Sequence, residues 1–247
     1  MSGLRGDMNL IPGWGMGPRC WGPMAEQLET RYRLQYSSLP GHGVLAPRPA
    51  WKLSDVAAQL LAELPAGVWL GWSLGAQLAL QLARLAPERV RALVLMGATP
   101  RFLRTSDWPH AMAPAVFDAF KTSCRQDPVR TLRRFQALQV KDSDHAVPVL
   151  RSLRQNRIAE PECEILADAL AVLQETDLRP LLAQLEVPCL WLHGSADQLV
   201  PAAAAEAAAA SMPGAQLVII QGAGHAPFLS HPQASAHALH GFLSSLP

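Results

Sequence analysis

Ala66-Gly67-Val68-Trp69-Leu70-Gly71-Trp72-Ser73-Leu74-Gly75 reads as a strand that ends in an abrupt turn, and the amphipathic stretch from Ala76 to Leu85 reads as the helix beyond it. The glycines two before and two after Ser73 relieve the crowding of a sharp strand-to-helix turn. Such a turn presents the Ser73 hydroxyl at the top of a sheet and the start of a helix. It also leaves the backbone N–H of Leu74 facing the place where an oxyanion develops. A bare Gly-x-Ser-x-Gly arises by chance in many proteins. The strand before it and the helix after it are what make this one informative.

Upstream, Met8-Asn9-Leu10-Ile11 is a short apolar run that enters the loop Pro12-Gly13-Trp14-Gly15. Trp21 to Leu28 has a helical pattern. Tyr32 to Tyr36 alternates apolar and polar residues, as a half-buried strand does. It ends in the turn-rich Leu39-Pro40-Gly41-His42-Gly43, and Leu53 to Leu64 forms an amphipathic helix. Downstream, Val90 to Met96 is a buried strand. From Arg101 to about Arg179 no strand pattern appears. That stretch reads as several helices, interrupted at Pro114, Pro128, Pro148 and Pro161, forming an inserted cap over residues 101–179. Strands resume at Val187 to Leu192, followed by His193-Gly194-Ser195-Ala196-Asp197. Ala202 to Met212 is an alanine-rich helix, Ala215 to Ile220 the last strand, and Gly222-Ala223-Gly224-His225 the loop after it. Pro232 to Leu246 closes as a helix.

Strand and helix alternate at both ends, in residues 1–100 and 180–247. The expected fold is therefore α/β, with a mostly parallel sheet covered by helices on both faces. Sites in such sheets lie at the carboxyl ends of strands. Ser73, Asp197 and His225 each follow a strand, so they are expected to gather at one edge of the sheet.

Composition narrows the class. The chain has 247 residues, nearly half of them hydrophobic, and a net charge of +1. No bulk electrostatic attraction to nucleic acid or membrane follows from that balance. Cys20, Cys124, Cys163 and Cys189 show no Cys-x-x-Cys pairing and no metal-like spacing with histidine, so free thiols in a reducing compartment are expected. No phosphate-binding glycine loop and no metal motif is present. The expected protein is a soluble cytoplasmic monomer with no cofactor and no metal.

A serine hydroxyl is a poor nucleophile at neutral pH and needs a base to take its proton. Histidine titrates in the right range. A carboxylate fixes the histidine tautomer and stabilises the imidazolium that forms. Each residue also has a plainer reading: Asp197 as a turn or cap residue, His225 as a loop histidine. His42 and His193 also sit at strand ends, and His193 is the alternative base. Position after the last strand selects His225. The case is joint, resting on three suitable residues in one order, all at strand ends. A second oxyanion donor falls to the Trp14 backbone N–H, after the first strand. The plainer reading there is a glycine-rich turn with a packing tryptophan.

With these residues in view, the chain resembles the α/β-hydrolase superfamily over nearly its whole length. Within it, the chain is similar to the carboxylesterases of biotin synthesis. The narrower likeness rests on Gly13-Trp14-Gly15, Gly71-Trp72-Ser73-Leu74-Gly75, Arg134-Phe135-Gln136-Ala137-Leu138-Gln139, Thr176-Asp177-Leu178-Arg179 and His225-Ala226-Pro227-Phe228-Leu229-Ser230-His231-Pro232. The resemblance implies cleavage of the methyl ester of a pimeloyl chain carried on acyl-carrier protein. It implies Ser73 as nucleophile, His225 as base, Asp197 as its orienter, and Trp14 and Leu74 as oxyanion donors. It implies that Phe135, Gln136, Ala137, Leu138 and Gln139 line the acyl site. It places carrier docking on cap arginines, here Arg130, Arg133, Arg134, Arg151, Arg154 and Arg157. The plainer reading of those arginines is the solvation of helix faces.

Two departures from that family stand out. Pro12 replaces the histidine that often precedes the first oxyanion glycine. Relatives also begin with two further strands, where this chain has about seven residues. Either the numbering starts at an internal methionine or the sheet is short. In the second case Tyr32–Tyr36 lies at an exposed edge, blunted by Arg33 and Tyr32. The same triad also fits a generic short-chain carboxylesterase, a thioesterase or a carbon–carbon bond hydrolase. A non-catalytic ligand receptor on the same scaffold is the alternative outside enzymes.

Overall fold

The computed structural model describes residues 5–42, 51–159 and 163–246. In chain order the elements are β1 (Asp7–Ile11), α1 (Gly22–Glu29), β2 (Arg33–Tyr36), α2 (Leu53–Glu63), β3 (Gly67–Trp72), α3 (Leu74–Leu85) and β4 (Val90–Met96). Then come four helices without a strand: α4 (Pro114–Gln126), α5 (Pro128–Gln139), α6 (Ala146–Gln155) and α7 (Cys163–Glu175). The chain resumes with α8 (Arg179–Leu182), β5 (Cys189–Gly194), α9 (Ala202–Ala210), β6 (Gln216–Ile220), α10 (Pro227–Ser230) and α11 (Pro232–Ser244).

The six strands form one sheet in the order β2-β1-β3-β4-β5-β6, and every pairing is parallel. Parallel strands are covered on both faces, and the burial follows their alternation. Met8, Leu10, Val68, Leu70, Val94 and Met96 pack with α1, α10 and α11 on one face. Ile11, Trp69, Leu93, Leu95 and Trp191 pack with α2, α3 and α9 on the other. From β1 the chain steps outward to β2, then crosses back to β3 and proceeds the other way. The switch point thus lies between β1 and β3, whose carboxyl ends lead to Trp14 and Ser73.

Among the described residues β2 is an edge strand. Arg33 is exposed and lies 3.7 Å from Asp7. Tyr32 does not blunt the edge: it is buried, stacked near His240. Its place is taken by Arg19, whose guanidinium sits 4.4 Å over the Tyr36 ring. The prolines of the helical segment also differ from expectation. Pro114 and Pro128 open α4 and α5, where the missing N–H costs nothing, and Pro148 lies in the first turn of α6. Pro161 falls outside the described residues.

The two ends of the α4–α7 insertion are clasped together. Leu178 N–H donates to Pro100 O (2.9 Å), and Arg101 pairs with Asp177. Arg179 adds two contacts to the same carboxylate. These bonds, those from Arg179 foremost, hold the Asp177 carboxyl down to about 2 despite opposing desolvation. The Thr176–Arg179 motif therefore closes the base of the insertion.

The glycines flanking Ser73 follow from backbone packing. A Cβ on Gly75 would lie 2.2 Å from Ile11 O and 2.6 Å from Pro12 O, because the first turn of α3 rests on the end of β1. A Cβ on Gly71 would lie 2.4 Å from Gly75 O. Gly75→Ala is expected to destabilise the protein by about 3 kcal/mol, the upper end for overpacking against an unyielding neighbour. Thermal unfolding should show a midpoint lowered by roughly 6–12 °C. A midpoint within a degree of wild type would mean that α3 moves freely on β1.

Candidate active site

Ser73 connects β3 to α3 with φ 56° and ψ −116°, a conformation that L residues adopt rarely. Backbone strain of this kind persists only where surrounding structure enforces it. Here the Ser73 N–H donates to Met96 O at the end of β4 (2.9 Å), and the two glycine contacts fix the turn on either side. The side chain caps no helix N–H, and the residue is half-buried at the carboxyl edge of the sheet.

Asp197 lies three residues past β5 and His225 five residues past β6. Both are buried, and His225 Nδ1 is 2.7 Å from Asp197 Oδ2. The other carboxylate oxygen, Oδ1, accepts from the backbone N–H groups of Leu199 (2.9 Å) and Val200 (3.0 Å). Burial alone pushes this carboxyl up. The charge of a protonated His225 and hydrogen bonds from His193 and His225 outweigh it and hold Asp197 well below the usual carboxylate range. An ionised Asp197 only accepts, so Nδ1 carries the ring proton and Nε2 presents a lone pair. Nε2 is buried and has no hydrogen-bond partner among the described residues. The contact to a serine hydroxyl often forms fully only with substrate bound.

Three groups hold the His225 loop. The His225 N–H donates to Gln139 O at the end of α5 (3.0 Å), and His225 O accepts from the Trp72 indole N–H (2.9 Å). Gly97, at φ 52°, lets the imidazole lie flat against the backbone after β4: a Cβ there would sit 3.2 Å from Nδ1 and 2.8 Å from His225 O.

The loop after β1 runs beside the serine. A Cβ added to Gly13 would be 3.4 Å from Ser73 Cβ. The backbone N–H groups of Trp14 and Leu74 donate to no described residue, although both residues are buried. Two unspent N–H donors beside Ser73 suit a developing oxyanion. Trp14 is held from the other side. Its indole N–H donates to Leu166 O (3.0 Å), and its ring meets Phe120 and Phe135 edge-on at 5.5 and 5.1 Å. Gly17 N–H to Asn156 O and Ile158 N–H to Gly15 O tie the same loop to the end of the α6 segment.

A family model for the alpha/beta hydrolase family matches residues 10–238. This chain belongs to the α/β-hydrolase family. Several curated relatives, matched over nearly the full length, carry the name pimeloyl-acyl-carrier-protein methyl ester esterase. That of Xanthomonas campestris pv. campestris is 46% identical over 96% of this chain and 95% of its own. That of Stenotrophomonas maltophilia is 41% identical over 100% and 96%. Among solved structures, an esterase from Exiguobacterium antarcticum superposes with a TM-score of 0.89 at 24% identity, covering 99% of this chain and 94% of that one. That match shows the shared fold. A hydrolase from Pseudomonas aeruginosa gives 0.82 at 26% identity, covering 99% and 92%.

This α/β hydrolase departs in places from what its sequence suggested. His193, the alternative base, has its Nε2 engaged by Val200 O and lying beside Asp197. Of the five residues Phe135–Gln139, Phe135 and Leu138 line an apolar cavity of about 60 Å³ together with Phe102, Phe117, Phe120 and Leu199. Ala137 is exposed, on the opposite face of the same helix, and does not line it. Gln136 is buried but turned to Leu153 O, and Gln139 acts through its main-chain carbonyl. Arg130, Arg133, Arg134, Arg151 and Arg154 are exposed on α5 and α6, and Arg157 is half-buried. The sequence reading missed the Trp72 indole, Gly97 and Gln139 O as supports of His225. Gly97 had a faint signal, a glycine closing a buried strand; a main-chain carbonyl has none.

No helix among the described residues is long and apolar enough to cross a membrane.

Proposed function

We propose that this protein hydrolyses the methyl ester of a pimeloyl chain carried on acyl-carrier protein, the masked intermediate of biotin synthesis. The observation that carries the reading is the 41–46% identity, over almost the whole chain, to esterases named for that substrate. The geometry around Ser73, Asp197 and His225 supports the chemistry.

In that reading Ser73 Oγ attacks the ester carbonyl while His225 Nε2 takes its proton. The carbonyl oxygen becomes an oxyanion facing the Trp14 and Leu74 N–H groups. Its collapse breaks the bond to the methoxy oxygen, which leaves as methanol with the proton from His225. Water then gives a proton to Nε2 as its oxygen attacks the acyl-serine. Collapse of this second intermediate returns the proton to Ser73 and frees the acid. Asp197 keeps Nδ1 protonated throughout and balances the charge on the imidazolium. The apolar cavity under α4, α5 and α7 suits a methylene chain, and residues 101–179 act as the cap over it. The test is methanol release from pimeloyl-carrier methyl ester beside a free short-chain methyl ester. A kcat/KM no higher for the carrier-bound ester would reject the assigned substrate and leave a generic esterase.

Carrier docking falls to the arginines of α5 and α6. Arg130, Arg134, Arg151 and Arg154 enter no ion pair among the described residues, on a chain of net charge +1. An acidic carrier meets a locally positive surface there. Reversing charge at Arg134 and Arg151 is expected to lower kcat/KM for the carrier-bound ester by about tenfold or more and to spare a small soluble ester. Rim charges act mainly on association, so the defect should shrink as salt rises and the Debye length falls to about 8 Å at physiological ionic strength. Equal losses on both substrates would mean that these arginines support the fold of the cap.

A further inference from the structure

Asp197 faces two imidazoles. His193 comes from the end of β5, and its Nε2 is 3.2 Å from Asp197 Oδ2, the same oxygen that accepts from His225 Nδ1. All three side chains are essentially inaccessible to solvent. The second neighbour of His193 Nε2 is Val200 O, at 2.7 Å. Both neighbours are acceptors, so Nε2 must carry a proton. Nδ1 of the same ring is buried with no partner among the described residues, so a second proton there would have nothing to bind. Geometry thus gives His193 one N–H, at Nε2, hydrogen-bonded to the Val200 carbonyl with the Asp197 carboxylate oxygen 3.2 Å away.

We propose that His193 is a positioning residue for ester hydrolysis: its Nε2–H, bound to Val200 O and lying against Oδ2, limits the rotation of the Asp197 carboxylate and offsets part of its charge, so that Oδ2 addresses His225 Nδ1. The carboxylate then has a donor for every direction it can turn. Oδ1 is held by Leu199 N–H and Val200 N–H, and Oδ2 by His225, with His193 Nε2 3.2 Å from it. Val200 is the hub, since its N–H holds Oδ1 and its carbonyl takes the larger share of the His193 proton. Among the described residues the ionisable groups against Asp197 are His193, from β5, and His225, from the loop after β6. The two rings therefore compete for one oxygen. Protonating His225 strengthens its bond to Oδ2 and shifts the His193 proton toward Val200 O; removing His193 leaves more charge on Oδ2 for His225.

This inference rests on Asp197 and His225 being the working pair, which His225→Ala decides separately. Its test has a variant arm and a wild-type arm. His193→Leu removes the donor. It should lower kcat about tenfold with KM unchanged, and move the acid limb of the kcat/KM profile to higher pH. His193→Gln, which keeps one N–H donor, should recover most of kcat. A folded His193→Leu protein with wild-type kcat and pH profile, even one of lowered melting temperature, would reduce His193 to a tie on Val200 O and overturn the proposal. In the wild-type protein, nitrogen-15 histidine spectra should show the His193 Nε2–H resonance moving with the titration of His225. A His193 resonance indifferent to that titration overturns it as well, whether or not the variants fold.

Discussion

Ser73→Ala is expected to abolish ester hydrolysis, with a loss in kcat of about 10⁴-fold or more and no loss of fold. The substitution removes one oxygen that caps no helix and fills no core. The rare backbone angles at this position are enforced by Gly71 and Gly75 contacts and by the bond to Met96 O, none of which involves the hydroxyl. Melting temperature should therefore stay within a few degrees of wild type. The residual rate reports what the Trp14 and Leu74 N–H groups and substrate binding contribute without a nucleophile. The measurement is single-turnover methanol release, with thermal unfolding on the same sample. Substantial turnover in the alanine variant would mean that another group attacks the ester.

His225→Ala should cost nearly as much, because serine and base act as a unit and their losses do not add. Asp197→Asn should be one to two orders of magnitude milder. The asparagine keeps the shape of the carboxylate and its contacts to Leu199 and Val200, yet no longer fixes which nitrogen of His225 carries the proton. A fraction of correctly oriented neutral imidazole remains. The double variant Ser73→Ala/His225→Ala should be no worse than either single change. Additive losses, or a His193→Ala change more damaging than His225→Ala, would reverse the assignment of the base.

The sequence carried the fold through periodicity. Five apolar runs were legible as strands because buried parallel strands leave continuous hydrophobic stretches, Tyr32–Tyr36 was legible by its alternation, and each ended in glycine, proline or a polar turn. The Ser73, Asp197 and His225 positions followed jointly from residue type, chain order and position at strand ends. The sequence did not show that Ala137 turns outward while Phe135 and Leu138 turn inward. A resemblance motif spans a helix without marking its faces, and helical period does. Tyr32 was misjudged for a similar reason: a tyrosine beside an edge strand looks like surface until α11 is seen to bring His240 against it. Long-range bonds to main-chain atoms, such as His225 N–H to Gln139 O, depend on which loops meet. No residue type encodes them.

Helix α5 bridges the loop after β1 and the loop that carries His225. Leu132 fills the space over Gly15, and Gln139 supplies the carbonyl that holds His225. Those positions are seven residues apart, about 10 Å along the axis. A graft of this insertion from a relative must match both surfaces at once. Under the proposed function, Phe135 and Leu138 could be changed to alter the acyl site, and Arg133 and Arg134 to alter docking, without touching the two anchoring positions. Recombination of whole caps would carry the alignment of the base along with the lining of the pocket.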